Sequence, residues 1–265
     1  MFAKEIIRFD RNVPLHKWPD YPEEEIATGS RACKGHFYLE DPKLGLTTGV
    51  WEAEANETHW MEYPVHEFMI LLEGSVTILE EGRSTTVKAG ESFVIPKGLK
   101  CRWMQKAKLR KFFLILEDNA EVATDASRHM IKIDPKVKLA PCDPPSSAVL
   151  LSPAPKQHNH EAYVSMDGRF TVGVWDTTAY TRKLIDFPRH ELMHVLEGSV
   201  TFTDAAGEKH SFKAGDTFFV PLGTPNAWSS ASRSASTCTA RVSMPCSTSS
   251  ASSAWNRARS VTISG

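Results

Sequence analysis

The sequence contains an internal repeat: HEFMILLEGSV begins at His66, and HELMHVLEGSV begins at His190, 124 positions later. The agreement extends to both sides of this phrase. The further matched pairs are His36 and His160, Gly49-Val50-Trp51 and Gly173-Val174-Trp175, Pro64 and Pro188, Lys88-Ala89-Gly90 and Lys213-Ala214-Gly215, Pro96 and Pro221, Gly98 and Gly223, and Trp103 and Trp228. One residue is inserted in the second copy, within TDAAGEK, a turn where an insertion does least harm. The repeat therefore predicts two copies of one fold in tandem.

Each copy is composed of short segments with the character of β-strands. The runs GLTTGVWEA, FMILLEG, SVTILEE, STTVKAG, SFVIPKG and KFFLILE are rich in β-branched or aromatic residues. Glycine, proline or charged residues separate these runs at the spacing typical of an all-β sandwich or barrel. No long stretch has the 3.6-residue period of an amphipathic helix. We therefore expect an all-β fold.

These patterns divide the chain into five regions. Residues 1–35 are polar and contain proline, and we expect them to form an arm that lies against one of the repeated units. The two copies occupy residues 36–118 and 160–228. Residues 119–159 read as a proline-rich, extended linker, because proline cannot donate a hydrogen bond to a sheet. Residues 229–265 form a Ser-rich tail.

The tail lacks the hydrophobic residues that its position requires. The first copy continues after Trp103 into KLRKFFLILED, a clear strand, whereas the second continues after Trp228 into a stretch without leucine or phenylalanine. Such a composition buries too little apolar surface to offset the loss of chain entropy. We therefore expect the second unit to lack its last strand and the tail to be disordered or read from a shifted frame. The frame shift is favoured, because local signals normally agree with the topology.

Two stretches in each copy carry a family resemblance. HEFMILLEGSVTI with AGESFVIPKGLKCRW, and HELMHVLEGSVTF with AGDTFFVPLGTPNAW, resemble the two sequence motifs of the cupin superfamily. The likeness is to the branch that includes the cupin domains of (S)-ureidoglycine aminohydrolase and of ethanolamine-utilisation protein Q. It implies two tandem jelly-roll barrels, a bicupin, in which Glu67 and Glu191 point into the barrels. It implies little about function, because this fold supports many chemistries.

Charge and cysteine content exclude several classes of protein. The 31 Lys and Arg and 32 Asp and Glu give a formal net charge of -1, so we expect no nucleic-acid partner, which would need a clustered basic face. The sequence contains no run of about 18 apolar residues, so we expect no membrane span. The N-terminal apolar stretch is too short for a secretory signal. The five widely spaced cysteines form no CxxC pair and fit reduced thiols in a cytoplasmic protein.

The resemblance also implies where a metal would bind. Metal-binding cupins use a His-x-His pair, the motif glutamate and a later histidine, which together hold a first-row transition metal. Besides Glu67 and Glu191, the corresponding residues are Trp60, Glu62 and Cys101 in the first copy and Leu184, Asp186 and Asn226 in the second. None is a histidine, so we expect a degenerate site in which Glu67 is the ligand left for a divalent metal such as Mn, Fe or Zn. His190 and His194 do not replace the missing ligands, because residues four apart on a strand lie about 13 Å from each other.

Each copy retains a pair of acidic residues aimed at one cavity: Glu62 with Glu67, and Asp186 with Glu191. Two carboxylates in one apolar lumen repel, which favours a proton on one of them and suits general acid or base catalysis. They also suit a ligand that carries an amine. We therefore predict Glu67 as a catalytic residue. The predicted substrate-binding residues are Glu62, Cys101, Trp103, Glu191, Asp186 and Asn226.

These residues also have structural interpretations. Glu62 can be a solvated charge at a strand end, and Glu67 can serve only as a hydrogen-bonding group between strands. Cys101 is of a type more often found as a small buried hydrophobe than as a nucleophile. Trp103 recurs in both copies, which is typical of core packing.

Two functions therefore stand side by side. The first is binding or conversion of a small polar metabolite, of amino or ureido acid type, in the first barrel, as a hydrolase or lyase related to ureidoglycine aminohydrolase. The alternative is a non-catalytic metabolite-binding or structural bicupin. In both cases the expected partner is a small molecule, and the resemblance to bicupins also implies a homodimer.

Overall fold

The computed structural model describes residues 4–118, 128–230 and 235–244. Apart from a single turn of 3₁₀ helix at Glu23–Glu25, the elements in these ranges are β-strands. The first twelve are β1 (Ile7–Arg8), β2 (His16–Lys17), β3 (Ile26–Gly29), β4 (Cys33–Asp41), β5 (Leu46–Ala53), β6 (Asn56–Thr58), β7 (Met61–Glu62), β8 (His66–Glu73), β9 (Ser75–Glu80), β10 (Arg83–Lys88), β11 (Ser92–Ile95) and β12 (Lys100–Gln105). The others are β13 (Leu109–Leu116), β14 (Ile131–Lys132), β15 (Ala140–Cys142), β16 (Gln157–Val164), β17 (Phe170–Thr177), β18 (Thr181–Asp186), β19 (His190–Glu197), β20 (Ser199–Asp204), β21 (Lys209–Lys213), β22 (Thr217–Val220), β23 (Pro225–Ser229) and β24 (Ala235–Val242).

The first barrel is a pair of antiparallel sheets around one core. One sheet has seven strands in the order β14-β11-β8-β13-β5-β4-β2, and the other has the order β10-β9-β12-β6-β3 with β7 paired to β12. Core side chains come from both sheets, for example Met69 of β8 and Ile78 of β9. The inward and outward faces of each strand alternate, so every second residue of β8 and β12 reaches the lumen.

The second barrel repeats this plan. Its seven-stranded sheet has the order β1-β22-β19-β24-β17-β16-β15, and its second sheet has the order β18-β23-β20-β21. Strand β19 takes the place of β8, and β23 takes the place of β12. Its core includes Met193, Val195, Phe202 and Trp228. The prediction of two repeated all-β barrels is confirmed.

The expectation that the second barrel lacks its last strand is wrong. Strand β24 pairs antiparallel with β17 and β19 along its whole length, as β13 pairs with β5 and β8 in the first barrel. Its buried residues include Thr237, Thr239 and Ala240, which are small rather than strongly hydrophobic. Main-chain pairing on both edges stabilises a central strand whose side chains alone give a weak signal. The part of the predicted disordered tail from residue 245 onward lies outside the described residues.

The N-terminal residues are divided between the two units. Strand β1 pairs with β22 and belongs to the unit of the second barrel, while residues from 11 onward belong to the unit of the first. Strand β14, in the region expected to be a linker, pairs with β11 of the first barrel. Each barrel therefore gains an outer strand from a segment outside the repeat. The described residues include no helix with the length and apolar character needed to cross a membrane.

Candidate functional site in the barrel lumens

Glu67 lies in the lumen of the first barrel. It is on β8, where side chains alternate between the two faces of the sheet. Met69 and Leu71, which share its face, belong to the core of this barrel. Glu67 is itself 4% exposed. A carboxylate enclosed in this way needs partners inside the protein, because water no longer solvates it.

The main partner of Glu67 is Lys111, which our sequence analysis missed. Lys111 Nζ lies 2.8 Å from Glu67 Oε1, and both side chains are buried. The same ammonium nitrogen lies 4.9 Å from the ring centroids of Trp51 and of Trp103. Contacts with two indole faces and a charge-assisted hydrogen bond together replace the hydration that the ammonium group loses. The first lumen therefore contains a buried ion pair beside two tryptophans, one of which is the predicted Trp103.

Tyr63 completes the contacts of Glu67. Its hydroxyl donates a hydrogen bond to Glu67 Oε2. Burial and the nearby carboxylate raise the pKa of Tyr63 well above its usual value, so the phenol keeps its proton. Burial also raises the pKa of Tyr21, with smaller contributions from Cys33 and Glu67. The surroundings of Glu67 thus include two neutral phenols as well as the ammonium group.

The histidines that precede the two glutamates have the same structural role. His66 Nδ1 accepts a hydrogen bond from the backbone N–H of Lys97 at 3.2 Å, and His190 Nδ1 accepts one from Leu222 at 3.2 Å. As neighbours of an inward-facing residue on a strand, both point away from the lumen. The repeated His-Glu pair thus combines one residue that anchors the loop after the matched proline with one that faces the cavity.

The predicted pairing of two carboxylates in each lumen is wrong. Glu62, at the end of β7, is exposed, and Asp186, at the end of β18, is also exposed. In the first barrel the chain bends at Val65 before β8 begins, and it is Tyr63 rather than Glu62 that reaches Glu67. A charge that can stay in water at a strand end avoids the cost of sharing a buried site with another carboxylate.

Cys101 is part of the wall of the first lumen. It lies on β12 among the core residues of this barrel and is 1% exposed. Burial, with a smaller contribution from Glu80, raises the pKa of Cys101 to about 12. A thiol that stays protonated in the physiological range is a poor nucleophile. These properties favour the structural interpretation of Cys101.

We therefore expect Cys101 to resist alkylation in the folded protein. A pKa of about 12 leaves about one thiolate in ten thousand at pH 8. Iodoacetamide labelling followed by peptide mass mapping should show Cys101 modified at least about a hundredfold more slowly in buffer than in concentrated urea. Cys142, which is only partly buried, is the internal control. Equal labelling rates for Cys101 in buffer and in urea would contradict this expectation.

The second lumen retains the carboxylate but changes its partners. Glu191 is buried on β19, and its Oε1 lies 3.0 Å from Arg241 Nε of β24. Arg189 Nε lies 3.5 Å from the other carboxylate oxygen. At the position of Lys111 the second barrel has Thr237. Lys111 lies opposite Trp51 and Leu71. Thr237 lies opposite their counterparts, Trp175 and Val195. The buried glutamate is therefore paired with a cation from a different strand position in each barrel.

Asn226 is enclosed in the second lumen and is bound to an arginine. Arg182 Nη2 donates to Asn226 Oδ1 at 2.6 Å, and Arg182 Nη1 donates to the backbone oxygen of the same residue at 2.6 Å. Asn226 Nδ2 donates to the backbone oxygen of Thr224 at 2.8 Å. Burial lowers the pKa of Arg182 from its usual high value, and the nearby Tyr180 opposes this effect. Sequence reasoning identified Asn226 but not the buried Arg182.

The surroundings of Glu67 do not fit a transition metal. Its two carboxylate oxygens are occupied by an ammonium group and a phenol. Among the residues that the structure describes, no group of three His, Cys, Asp or Glu ligand atoms includes Glu67. A metal would have to displace the positive charge of Lys111 without gaining an imidazole ligand. We therefore describe the first lumen without a metal.

One acidic and histidine cluster has the spacing of a metal site, and it lies at the end of β20 in the second barrel. Asp204, Glu208 and His210, at the turn between β20 and β21, bring ligand atoms within 4.8 Å of one another. His210 Nε2 lies 3.1 Å from Asp204 Oδ2, and Asp204 Oδ1 accepts two backbone N–H groups of the turn. These contacts account for the cluster as part of the turn itself.

Two tandem jelly-roll barrels, each with a carboxylate in its lumen, define a bicupin. The EutQ-like cupin domain matches residues 42–113 and 164–246, one match in each repeat, and the chain belongs to this family. No curated protein matches the sequence at a significant level.

Solved structures share the two-barrel fold at low sequence identity. A protein of unknown function from Pseudomonas syringae pv. tomato superposes with a TM-score of 0.73 at 23% identity, covering 91% of this chain and 100% of that one. A cupin 2 conserved barrel domain protein from Leptotrichia buccalis has a TM-score of 0.53 at 12% identity, with 79% and 88% covered. The protein Ylba from E. coli has a TM-score of 0.53 at 10% identity, with 91% and 92% covered. At these identities the likeness concerns the fold alone.

Proposed function

We propose that the first barrel binds a small polar metabolite of amino or ureido acid type in its lumen, without a metal. The observation that carries this proposal is the buried pair of Glu67 and Lys111 beside Trp51 and Trp103. A ligand with a carboxylate and an N–H group can bind both members of this pair. Its carboxylate would take the place of Glu67 beside Lys111, and its N–H group would take the place of Lys111 beside Glu67. Its carboxylate would accept from Lys111, and its nitrogen would donate to Glu67.

The same residues supply the groups that a proton transfer needs. Tyr63 holds a proton on the Oε2 side of Glu67, and Lys111 holds protons on the Oε1 side. The Glu67 carboxylate can accept a proton from a bound ligand. The positive charge of Lys111 would then stabilise the negative charge that the proton leaves on the ligand. Conversion of the ligand is thus compatible with the site, and binding is the part that the contacts support best.

The test is calorimetric titration of the full chain with hydantoate, the simplest ureido acid, and with glycine. We expect hydantoate to bind and Glu67→Gln to weaken binding at least about tenfold, because a hydrogen bond to a charged group is lost. The matched control is Glu73→Gln, which lies on the same strand in an exposed ion pair with Lys108. Equal affinities for Glu67→Gln and Glu73→Gln would remove Glu67 from the site.

The same incubations separate a binding protein from an enzyme. A probe recovered unchanged by mass spectrometry after prolonged incubation favours the non-catalytic alternative. Formation of a product that disappears with Glu67→Gln favours conversion. Failure of every amino and ureido acid to bind would leave the ion pair as a purely structural element and would overturn the proposal.

A further inference from the structure

We infer that the lumen of the second barrel is a binding site for a small organic carboxylate. This inference does not depend on the function proposed for the first barrel. It rests on three features of one lumen: a buried guanidinium without a counter-ion, hydrogen-bond donors without acceptors, and a register that brings them together.

The buried guanidinium belongs to Arg182. The side chain is only 5% exposed, and no carboxylate in the described part of the chain pairs with it. Glu191, the carboxylate of this lumen, is already paired with Arg241 and Arg189. A buried cation normally has a counter-ion, because an uncompensated charge in a medium of low polarity is costly. The charge balance of the second lumen therefore favours an anion as ligand.

The guanidinium also has donors to spare. The guanidinium donates three hydrogen bonds: two from Nη1, to the backbone oxygens of Lys183 at 3.3 Å and Asn226 at 2.6 Å, and one from Nη2 to Asn226 Oδ1. A guanidinium has five N–H donors, so these bonds leave about two for another acceptor. Asn226 fixes the plane of the group, and a fixed plane is what bidentate recognition of a carboxylate requires.

Among the described residues of this unit, five further donors are buried without a hydrogen-bond acceptor: Arg169 Nε, Arg189 Nε, Trp228 Nε1, Thr224 Oγ1 and Thr237 Oγ1. Trp228 Nε1 and Thr237 Oγ1 belong to strands that line the lumen. In the first barrel the matched indole of Trp103 donates to Gln105 Oε1 at 2.8 Å, whereas Ser230 stands at that position in the second and bonds to Tyr180 instead. Most buried donors in folded proteins have a partner, so each exception needs an explanation, and a bound water, ion or ligand is one.

The strand register places these groups on the inner face of the same barrel. Arg182 of β18 lies directly opposite Trp228 of β23, which is a core residue, so both side chains point inward. Asn226 precedes Trp228 by two positions on β23 and shares its face. Thr237 faces inward from the other sheet, opposite Trp175. A guanidinium, an indole and a hydroxyl group thus point from three strands toward the interior of one barrel.

All of these groups can donate a hydrogen bond, and the complementary ligand is one with acceptor oxygens and a negative charge. A carboxylate offers two coplanar oxygens that match the planar guanidinium. The aromatic walls formed by Phe202, Tyr180 and Trp228 favour an organic anion with a short carbon chain over an inorganic one. An amine would meet the unpaired charge of Arg182 and is disfavoured.

The test is titration of the full chain with malonate, followed by calorimetry and by tryptophan fluorescence. We expect malonate to bind, Arg182→Met to weaken binding at least about tenfold, and Thr237→Val to weaken it about fivefold through loss of one neutral hydrogen bond. Lys183→Met is the matched control, because it removes a neighbouring cation on the same strand that is exposed. Its affinity should equal that of the unchanged chain.

Several outcomes would overturn the inference. They are the absence of binding for malonate and acetate alike, inorganic phosphate binding more tightly than either, or equal weakening by Arg182→Met and Lys183→Met. Where Arg182→Met does not fold, Thr237→Val decides alone, since valine has nearly the shape of threonine and lacks only the donor. Malonate has no N–H group to donate to Glu67, so its binding should be the same in Glu67→Gln as in the unchanged chain, which separates this test from the one for Glu67.

Discussion

Replacing Lys111 with methionine is expected to destabilise the first barrel by about 3–5 kcal/mol, the range found when one partner of a buried ion pair is removed. Methionine preserves much of the volume of the lysine stem beside Trp51 and Trp103, so the loss reports mainly on charge. Glu67 would remain buried with Tyr63 as its main donor.

The double variant Glu67→Gln with Lys111→Met tests whether the loss of stability comes from leaving one buried charge without its partner. It should recover much of the lost stability, because replacing both charges by neutral groups of similar shape is often nearly neutral. Urea unfolding followed by hydrogen exchange of β8 and β13 measures both variants. Lys108→Met, in the exposed pair with Glu73, is the control and should cost far less, because solvent screens an exposed pair. The interpretation is wrong if Lys111→Met costs no more than Lys108→Met.

The second large effect concerns glycines at matched positions of the repeat, Gly49 and Gly173. In both barrels the neighbouring strand has a β-bulge at this level. A Cβ atom on Gly49 would lie 2.1 Å from the backbone oxygen of His36, and one on Gly173 would lie 2.1 Å from that of His160. Since the conflicting atom is backbone, no side-chain rotation relieves the overlap. Glycine within a strand often marks such a close approach.

We therefore expect Gly49→Ala and Gly173→Ala each to destabilise its own barrel by about 3 kcal/mol, at the upper end of the cost of overpacking. Gly82→Ala is the control: its φ of +71° is unfavourable for alanine, but no atom lies within 4 Å of the added Cβ. It should cost about 1 kcal/mol. Hydrogen exchange resolved by mass spectrometry assigns each loss to one barrel. A loss for Gly49→Ala no larger than that for Gly82→Ala would show that the strands separate easily at the bulge.

The buried lysine left a signal in the sequence that a search for histidines does not detect. In KLRKFFLILED, Lys111 stands two positions after Leu109 and two before Phe113, so it shares the inward face of a strand with both. A charged residue at an inward position predicts a buried partner, and Glu67 was the inward carboxylate available. Tyr63 had no comparable signal, because it lies in the segment between β7 and β8, where strand alternation does not apply.

The closing strand of the second barrel shows the opposite situation. Its sequence, ASTCTARV, contains little of the hydrophobicity expected in a central strand. The register of β24 against β17 and β19 nevertheless matches that of its counterpart β13, and it brings Arg241 opposite Glu191. Hydrophobic pattern therefore failed where backbone pairing on both sides sets the structure.

The sequence by itself determined the duplication, the all-β character and the inward direction of the two glutamates, because each follows from a repeat or an alternation that is local along the chain. Only the tertiary structure decided which cation each glutamate meets. Lys111 is 44 positions from Glu67, and Arg241 is 50 positions from Glu191. Contacts across neighbouring strands depend on register and side-chain reach, which are fixed only when the sheet is assembled.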